Sequence, residues 1–193
     1  MYAGMEPGES FQGTGCPDSK GICLGSGRVQ EAKRIIVFAA FSVVFAIIIM
    51  IFHELGHAIV AIICGTEITA FAFDHVDWGN APFTEKQLAW LFINGTLMPI
   101  IISVPFFWFP RKTDMFFAGV VSFGVIIGGW IELYAWTVES FFLHEISDVT
   151  WFLMFSGLEI SIIRIISVIV YLIYTAVACW RCATILSNYI SKV

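Results

Sequence analysis

The chain is predicted to be an all-α integral membrane protein with about four main transmembrane helices and a short β element after the first. Its 193 residues are 59% hydrophobic and only 13% charged, with a mean hydropathy of +0.86. Soluble domains are about one quarter charged. Four apolar stretches are also long enough to cross a bilayer, which takes about 20 helical residues. They are residues 35–64, 87–109, 115–136 and 160–186.

These stretches divide the chain into three parts. Residues 1–34 are polar, contain Gly, Pro and Ser, and are predicted to form a flexible cytoplasmic tail. They lack the apolar core of a signal peptide, so the first span is expected to act as its own insertion signal. Residues 35–187 form the predicted membrane domain, and residues 188–193 form a short C-terminal tail.

The segment after the first span has a different composition from the spans. Residues 67–73 (EITAFAF) are rich in β-branched and aromatic side chains and alternate imperfectly, which predicts a short strand or hairpin. A free edge on such a strand can pair with an extended peptide. A simple covering loop is the alternative.

Positive charge predicts the orientation of the spans. Lys and Arg precede the first span, lie between spans two and three, and end span four, whereas residues 137–159 contain none. Cytoplasmic connections are enriched in these residues, so both termini are expected in the cytoplasm. The residues concerned are Lys20, Arg28, Lys33, Arg34, Arg111, Lys112, Arg181 and Lys192.

This orientation gathers the polar residues of the spans at one depth. Charged groups within a membrane are costly and usually mark a function or a mutual partner. The connection between residues 137 and 159 is expected on the same outer side. The span residues in this layer are His53, His57, Asn94, Glu132 and Arg164.

Charge and cysteine content exclude two classes of protein. The net charge is −5 and the chain has no basic stripe, so a nucleic-acid partner is not expected. Five scattered cysteines are too few for a disulfide framework. Cys179 and Cys182 form a C-x-x-C pair, which is interpreted as small residues at a membrane boundary in preference to a metal or redox site.

The motif that indicates chemistry is His53-Glu54-Leu55-Gly56-His57, near the end of the first apolar stretch. On a helix this spacing puts two imidazoles on one face, where both can bind one zinc ion. Glu54 can then act as general base on a water bound to the metal. Two packed core histidines are the alternative, but the full motif at membrane depth favours a metal site.

A catalytic zinc site typically takes three protein ligands, so a third ligand is needed. Asp148 is the first choice, because it is acidic and directly precedes the apolar residues 151–155. Its other possible role, shared with Ser147, is to cap a helix. His144 and Glu132 are the alternative ligands, and for Glu132 an ion pair with Arg164 or a contact to a metal ligand is favoured over direct binding.

Three stretches of the sequence carry a family resemblance. They are the His53–His57 motif continued by Ala58, Ala61 and Gly65, Ser147-Asp148 with Leu153 and Ser156-Gly157-Leu158, and more loosely Asn94-Gly95 with Pro99. Together these residues resemble the site-2 protease family of intramembrane zinc metalloproteases. The resemblance implies that Asp148 is the third zinc ligand and that Asn94 helps to bind the substrate backbone.

The function that follows is a zinc-dependent intramembrane endopeptidase acting on a membrane protein or membrane-associated peptide. Glu54 is the expected catalytic base, and Zn²⁺ is the expected cofactor. The lipid bilayer is the expected environment, and a partner subunit or oligomer is a further possibility. A non-proteolytic membrane subunit that binds partner helices is the alternative function, and a transporter is a weaker one because no inverted repeat is evident.

Overall fold

The computed structural model describes residues 20–72, 75–79, 82–108, 116–143 and 147–190. Within these ranges the chain is mainly helical, and a two-stranded antiparallel sheet follows the first helix. The predicted fold class is therefore confirmed. The elements are α1 (Lys20–Ile63), β1 (Ile68–Phe71), β2 (Val76–Trp78), α2 (Glu85–Ser103), a 3₁₀ turn (Val104–Phe107), α3 (Phe116–Phe142), α4 (Asp148–Ser156) and α5 (Ile160–Ile190).

The chain forms two compact units, Met1–Ile35 and Ile36–Val193. In the first unit, the described part is the beginning of α1 from Lys20, so helix already occupies part of the segment predicted as a tail. The second unit contains the other helices, the sheet and the candidate site. The division into tail, membrane domain and C-terminal tail stays a prediction, and residues 191–193 lie outside the described ranges.

Among the described residues, four helical segments are long and apolar enough to cross a membrane: Val29–Ile63, Glu85–Phe107, Phe117–Phe142 and Ile160–Asn188. The third continues beyond its predicted end at residue 136. The hydroxyls of Thr137 and Ser140 bond to backbone carbonyl oxygens of the same helix, at 2.8 and 2.7 Å. These polar residues are therefore compatible with burial, which hydropathy alone did not anticipate.

Helix α2 ends earlier than the apolar pattern predicted. Its last α-helical residue is Ser103, and a 3₁₀ turn containing Pro105 follows. Pro105 has no backbone N–H and its ring crowds the preceding helical turn, which favours the change to a 3₁₀ turn here, although α2 accommodates Pro99 in its interior. The apolar side chains beyond this point belong to the 3₁₀ turn.

Small residues bring α1 and α3 into close contact. A Cβ atom at Gly124 would lie 2.5 Å from the Ser42 carbonyl oxygen, and one at Gly128 would lie 2.7 Å from the Ile49 Cβ. Side chains larger than hydrogen are therefore excluded from both positions. Gly124 and Gly128 thus form a small-residue surface of α3 against which α1 packs.

Helix α4 is a short element between the last two spans, and its start positions Asp148. Ser147 is the N-cap, and its hydroxyl accepts a hydrogen bond from the Thr150 backbone N–H at 3.3 Å. Gly157 ends the helix with a positive φ of 65°. Because Ser147 caps the helix, the carboxylate of Asp148 is available for other contacts.

The short sheet confirms the β element predicted after the first span. Strands β1 and β2 are antiparallel, with Phe71 opposite Val76 and Ile68 opposite Trp78. The register is irregular between Ile68 and Ala70. Strand β2 thereby brings Trp78 close to His57 of α1.

Candidate metal centre

The two histidines of the motif converge on one point beside α1. His53 and His57 are one helical turn apart, so both project from the same face. Their Nε2 atoms are 3.2 Å apart. The His57 side chain is buried and that of His53 is half-buried.

Asp148 reaches the same point from the first turn of α4. Its Oδ2 atom lies 2.8 Å from the His53 Nε2 and 3.0 Å from the His57 Nε2. Among the described residues, these three side chains form a group with one potential ligand atom each, all within 4.8 Å of one another. His144, the alternative ligand from the same connection, lies outside the described residues.

The other ring nitrogen of each histidine has its own partner. The His53 Nδ1 lies 3.0 Å from the Glu132 Oε2, and the His57 Nδ1 lies 2.8 Å from the Leu91 carbonyl oxygen. A carboxylate or carbonyl oxygen accepts hydrogen bonds, so each Nδ1 is the donor. In the neutral imidazole, the lone pair is then on Nε2.

This tautomer makes the converging atoms a donor set for a cation. Two Nε2 lone pairs and a carboxylate oxygen meet at 2.8–3.2 Å, and they repel one another unless positive charge lies between them. Zinc–nitrogen and zinc–oxygen bonds of 2.0–2.1 Å put neighbouring ligand atoms of a tetrahedral ion about 3.3 Å apart. The spacing of the three donor atoms is therefore close to that of zinc ligands.

The electrostatic environment of Asp148 favours its ionised form. Burial alone would raise the pKa of this carboxyl group. In the absence of a metal, a proton on Nε2 supplies the positive charge, and the resulting hydrogen bonds and charge interactions of His53 and His57 with Asp148 outweigh burial and hold the pKa of Asp148 below its usual value. The side chain is thus a carboxylate at neutral pH, which is the form that binds a metal.

Glu54 lies beside this group without belonging to it. It is half-buried and interacts electrostatically with His57, His53 and Asp148. Adjacent helical residues point about 100° apart, so Glu54 does not share the face of the two histidines. Its position next to the donor set suits a proton acceptor better than a ligand.

A glycine of α2 covers one side of the donor set. A Cβ atom at Gly95 would lie 2.5 Å from the His57 Nε2 and 2.9 Å from the His53 Nε2. Gly95 is one turn beyond Leu91 on α2, so the two residues lie on the same face of this helix. Gly95 packs on the imidazoles, and the Leu91 carbonyl oxygen fixes His57. The contacts of Gly95 and of the Leu91 carbonyl with the histidines depend on how α2 packs against α1, which the sequence alone did not predict.

Asn94 links α2 to the motif. Its Nδ2 donates a hydrogen bond to the Gly56 carbonyl oxygen at 2.8 Å. A Cβ at Gly56 would lie 2.3 Å from the Asn94 carbonyl oxygen, so the two backbones are in direct contact. Asn94 therefore helps to fix α1 beside α2, and its Oδ1 forms no hydrogen bond to a described residue.

A family model described as Peptidase M50B-like matches residues 29–178, which include every residue of this site. The chain belongs to the Peptidase M50B-like family. The predicted resemblance to the site-2 proteases is thereby confirmed. Neither the curated proteins nor the solved structures that were compared gave a match.

In this M50B-like chain, aromatic rings form one wall beside the candidate metal-binding group. The His57 ring centroid lies 6.1 Å from that of Phe92 and 6.4 Å from that of Trp78. Trp151 and Phe155 of α4 lie nearly parallel to Phe92, at 6.0 and 6.2 Å. All four aromatic residues are half-buried, so the wall lowers the polarity around His57 without enclosing it.

The remaining predicted polar residues have other roles in the M50B-like fold. Arg164 donates from Nε to the Ser140 carbonyl oxygen at 2.8 Å and lies over the Phe141 ring. Glu132 contacts His53, a candidate ligand, and among the described residues it forms no ion pair with Arg164. Cys179 and Cys182 are free thiols, the first exposed and the second half-buried.

Proposed function

We propose that this chain is a zinc-dependent intramembrane endopeptidase that hydrolyses peptide bonds of membrane-associated substrates. The observation that carries the proposal is the meeting of His53, His57 and Asp148 within 3.2 Å, with Glu54 beside them. Membership of a peptidase-like family and four apolar helices support it.

In this proposal His53, His57 and Asp148 hold the zinc ion. A bound zinc ion polarises a carbonyl group and makes water more acidic, which are the two requirements of amide hydrolysis. Leu91 and Glu132 hold the two imidazoles with Nε2 toward the ion. These two contacts would fix the orientation of both imidazole ligands.

Glu54 is the proposed proton carrier. It accepts a proton from the attacking water as the new carbon–oxygen bond forms at the scissile carbonyl. It then gives this proton to the amide nitrogen as the carbon–nitrogen bond breaks, so that the products are a carboxylic acid and an amine. The carboxylate is half-buried and near both imidazoles, within reach of a peptide beside them.

The proposed substrate is a membrane segment that becomes extended at the site. A helical peptide uses its amides in internal hydrogen bonds, so the scissile amide must leave the helix before attack. The Asn94 Oδ1 is a candidate acceptor for a substrate N–H, because the Asn94 Nδ2 is already bonded to Gly56. The aromatic wall formed by Trp78, Phe92, Trp151 and Phe155 offers apolar contact to substrate side chains.

A Glu54→Gln variant tests the proposal. The full chain would be incorporated into phosphatidylcholine vesicles with a library of apolar peptides of about 20 residues, and products would be identified by mass spectrometry. We expect zinc-dependent cleavage by the wild type and a loss of at least about 100-fold in the variant, with zinc binding retained. Glu85→Gln, an exposed position at the start of α2, is the matched control.

Two results would contradict the proposal. Cleavage by Glu54→Gln at the wild-type rate would refute the role of Glu54, and a wild type that binds no zinc would refute the metal centre. If Glu54→Gln also supported the protein's cellular role in full, the alternative of a non-proteolytic membrane subunit would be favoured.

A further inference from the structure

Glu132 is a buried carboxylate within a membrane span. It lies in the middle of α3 and only 8% of the residue is exposed. Burying a carboxylate without a partner is strongly unfavourable, and membrane spans contain very few such residues. The fold must therefore supply a specific partner for this charge.

That partner is His53. The Glu132 Oε2 lies 3.0 Å from the His53 Nδ1, and no Lys or Arg side chain among the described residues forms an ion pair with Glu132. The contact is on the opposite side of the ring from Nε2, which meets His57 and Asp148. The imidazole thus separates Glu132 from the donor set, which explains why Glu132 is outside the group of three ligand atoms.

The two histidines differ in the charge of the group that accepts a hydrogen bond from Nδ1. Nδ1 of His57 donates to a neutral carbonyl, that of Leu91, whereas Nδ1 of His53 donates to a carboxylate. Hydrogen bonds to ionised acceptors are roughly twice as strong as those between neutral groups. They also make the imidazole a more basic ligand, so His53 is expected to bind a cation more strongly than His57.

Charge balance points to the same conclusion. A divalent cation held by two neutral imidazoles and one carboxylate leaves one positive charge in an apolar environment. A second carboxylate close to the ligands cancels this charge. Glu132 is buried and directly behind a ligand, whereas Glu54 is more exposed and has a proposed role in proton transfer.

We propose that Glu132 is a positioning residue of the metal centre, which orients His53 and neutralises the second positive charge of the bound ion. This inference rests on the proposed function. It assigns Glu132 a contribution to metal affinity that does not require contact with substrate or with the ion.

Two substitutions distinguish the orientation of His53 from the neutralisation of charge. In Glu132→Gln, the amide oxygen can still accept from the His53 Nδ1, so orientation is kept while the charge is lost. In Glu132→Met, a side chain of similar length removes both. We expect zinc affinity to fall about 10-fold in the first variant and about 100-fold in the second, the range found for partners of metal ligands.

The measurement is competition for zinc between the full chain in detergent micelles and a chelator of known affinity. The absorption spectrum of the Co²⁺-loaded protein reports the ligand geometry independently of activity. We expect a small spectral shift for Glu132→Gln and a large one for Glu132→Met. Glu139→Gln, about two turns further along α3, is the matched control and should leave affinity and spectrum unchanged.

The outcomes distinguish this inference from the proposed function. If the wild type and Glu139→Gln bind zinc and both Glu132 variants bind it equally well with unaltered Co²⁺ spectra, Glu132 has no positioning role and the proposed function stands. If the wild type itself binds no zinc, both proposals fail. A further outcome is that Glu132→Gln lowers the free energy of unfolding of the metal-free protein by as much as it lowers the free energy of zinc binding. If the Co²⁺ spectrum is then unchanged, Glu132 is only a structural residue and the inference is overturned.

Discussion

Replacement of Gly95 by alanine is the most direct test of the described geometry. The added Cβ would lie 2.5 Å from the His57 Nε2 and 2.9 Å from the His53 Nε2, where ordinary contact begins near 3.4 Å. The overlaps are thus about 0.9 and 0.5 Å, well within the repulsive range. The atoms affected are the two nitrogens that would bind zinc.

Neither imidazole can move away freely. His57 is held at Nδ1 by the Leu91 carbonyl and His53 by Glu132. The methyl group must therefore shift α2, break one of these hydrogen bonds, or displace both Nε2 atoms from Asp148. Overpacking of this kind costs about 1–3 kcal/mol, and a displacement of about 1 Å at a catalytic site can cost about 100-fold in rate.

We expect Gly95→Ala to lose zinc affinity and to reduce peptide cleavage by about 100-fold or more. Chelator competition measures the first, and mass spectrometry of the vesicle assay measures the second. Gly119→Ala on α3 is the matched control, since its Cβ would lie 3.6 Å from the Ile185 Cγ2, an ordinary contact. Alanine favours a helix over glycine by about 1 kcal/mol, so this control should be neutral or stabilising.

The reasoning would be refuted by a Gly95→Ala protein that binds zinc and cleaves peptides like the wild type. That result would mean that α2 does not approach the imidazoles as closely as described. A loss in Gly119→Ala of the same size as that in Gly95→Ala would instead indicate a general intolerance of α-helical packing to alanine.

Three other perturbations have defined outcomes. Ser147→Ala should lower the free energy of unfolding by about 1 kcal/mol through loss of the α4 N-cap. Because Asp148 follows directly, zinc affinity should fall as well, and an unchanged affinity would show that the N-cap does not help to position Asp148. Asn94→Ala removes the bond to the Gly56 carbonyl and should destabilise the fold by about 0.6 kcal/mol, measured by thermal unfolding in micelles, with Asn188→Ala on α5 for comparison. Removal of zinc by a chelator should lower the unfolding temperature, since free zinc at about 100 times its dissociation constant contributes about 2.7 kcal/mol; an unfolding temperature that is independent of zinc would contradict the metal centre.

The sequence predicted the parts of this protein that depend on local spacing. His53, Glu54 and His57 were recognisable because their roles follow from positions one turn apart on a single helix. The four spans followed from length and hydropathy. The end of the third span was wrong because Thr137 and Ser140 satisfy their hydroxyls within the helix, which hydropathy does not measure.

The third ligand is less predictable than the two histidines, because the candidates Asp148, His144 and Glu132 are distant from them in sequence. The predicted membrane depth is the same for all three and does not distinguish them, whereas the structure brings Asp148 to the two Nε2 atoms and Glu132 to the His53 Nδ1. The contribution of Gly95 and the Leu91 carbonyl could not be predicted. Both act through the packing of one backbone against a neighbouring helix, and no residue pattern encodes that distance.

The glycine contacts along α1 have a mechanical consequence. Gly124 and Gly128 of α3 pack against Ser42 and Ile49, which precede the histidines on α1. Gly56, between the two histidines, packs against α2. A slide of α1 by one turn, about 5.4 Å, would bring Phe52 or Val60 to the place of Gly56, where not even a methyl group fits. These contacts therefore fix the position of α1 along its own axis. A motion that admits a substrate must move the neighbouring helices sideways, because α1 cannot slide lengthwise and carry the histidines with it.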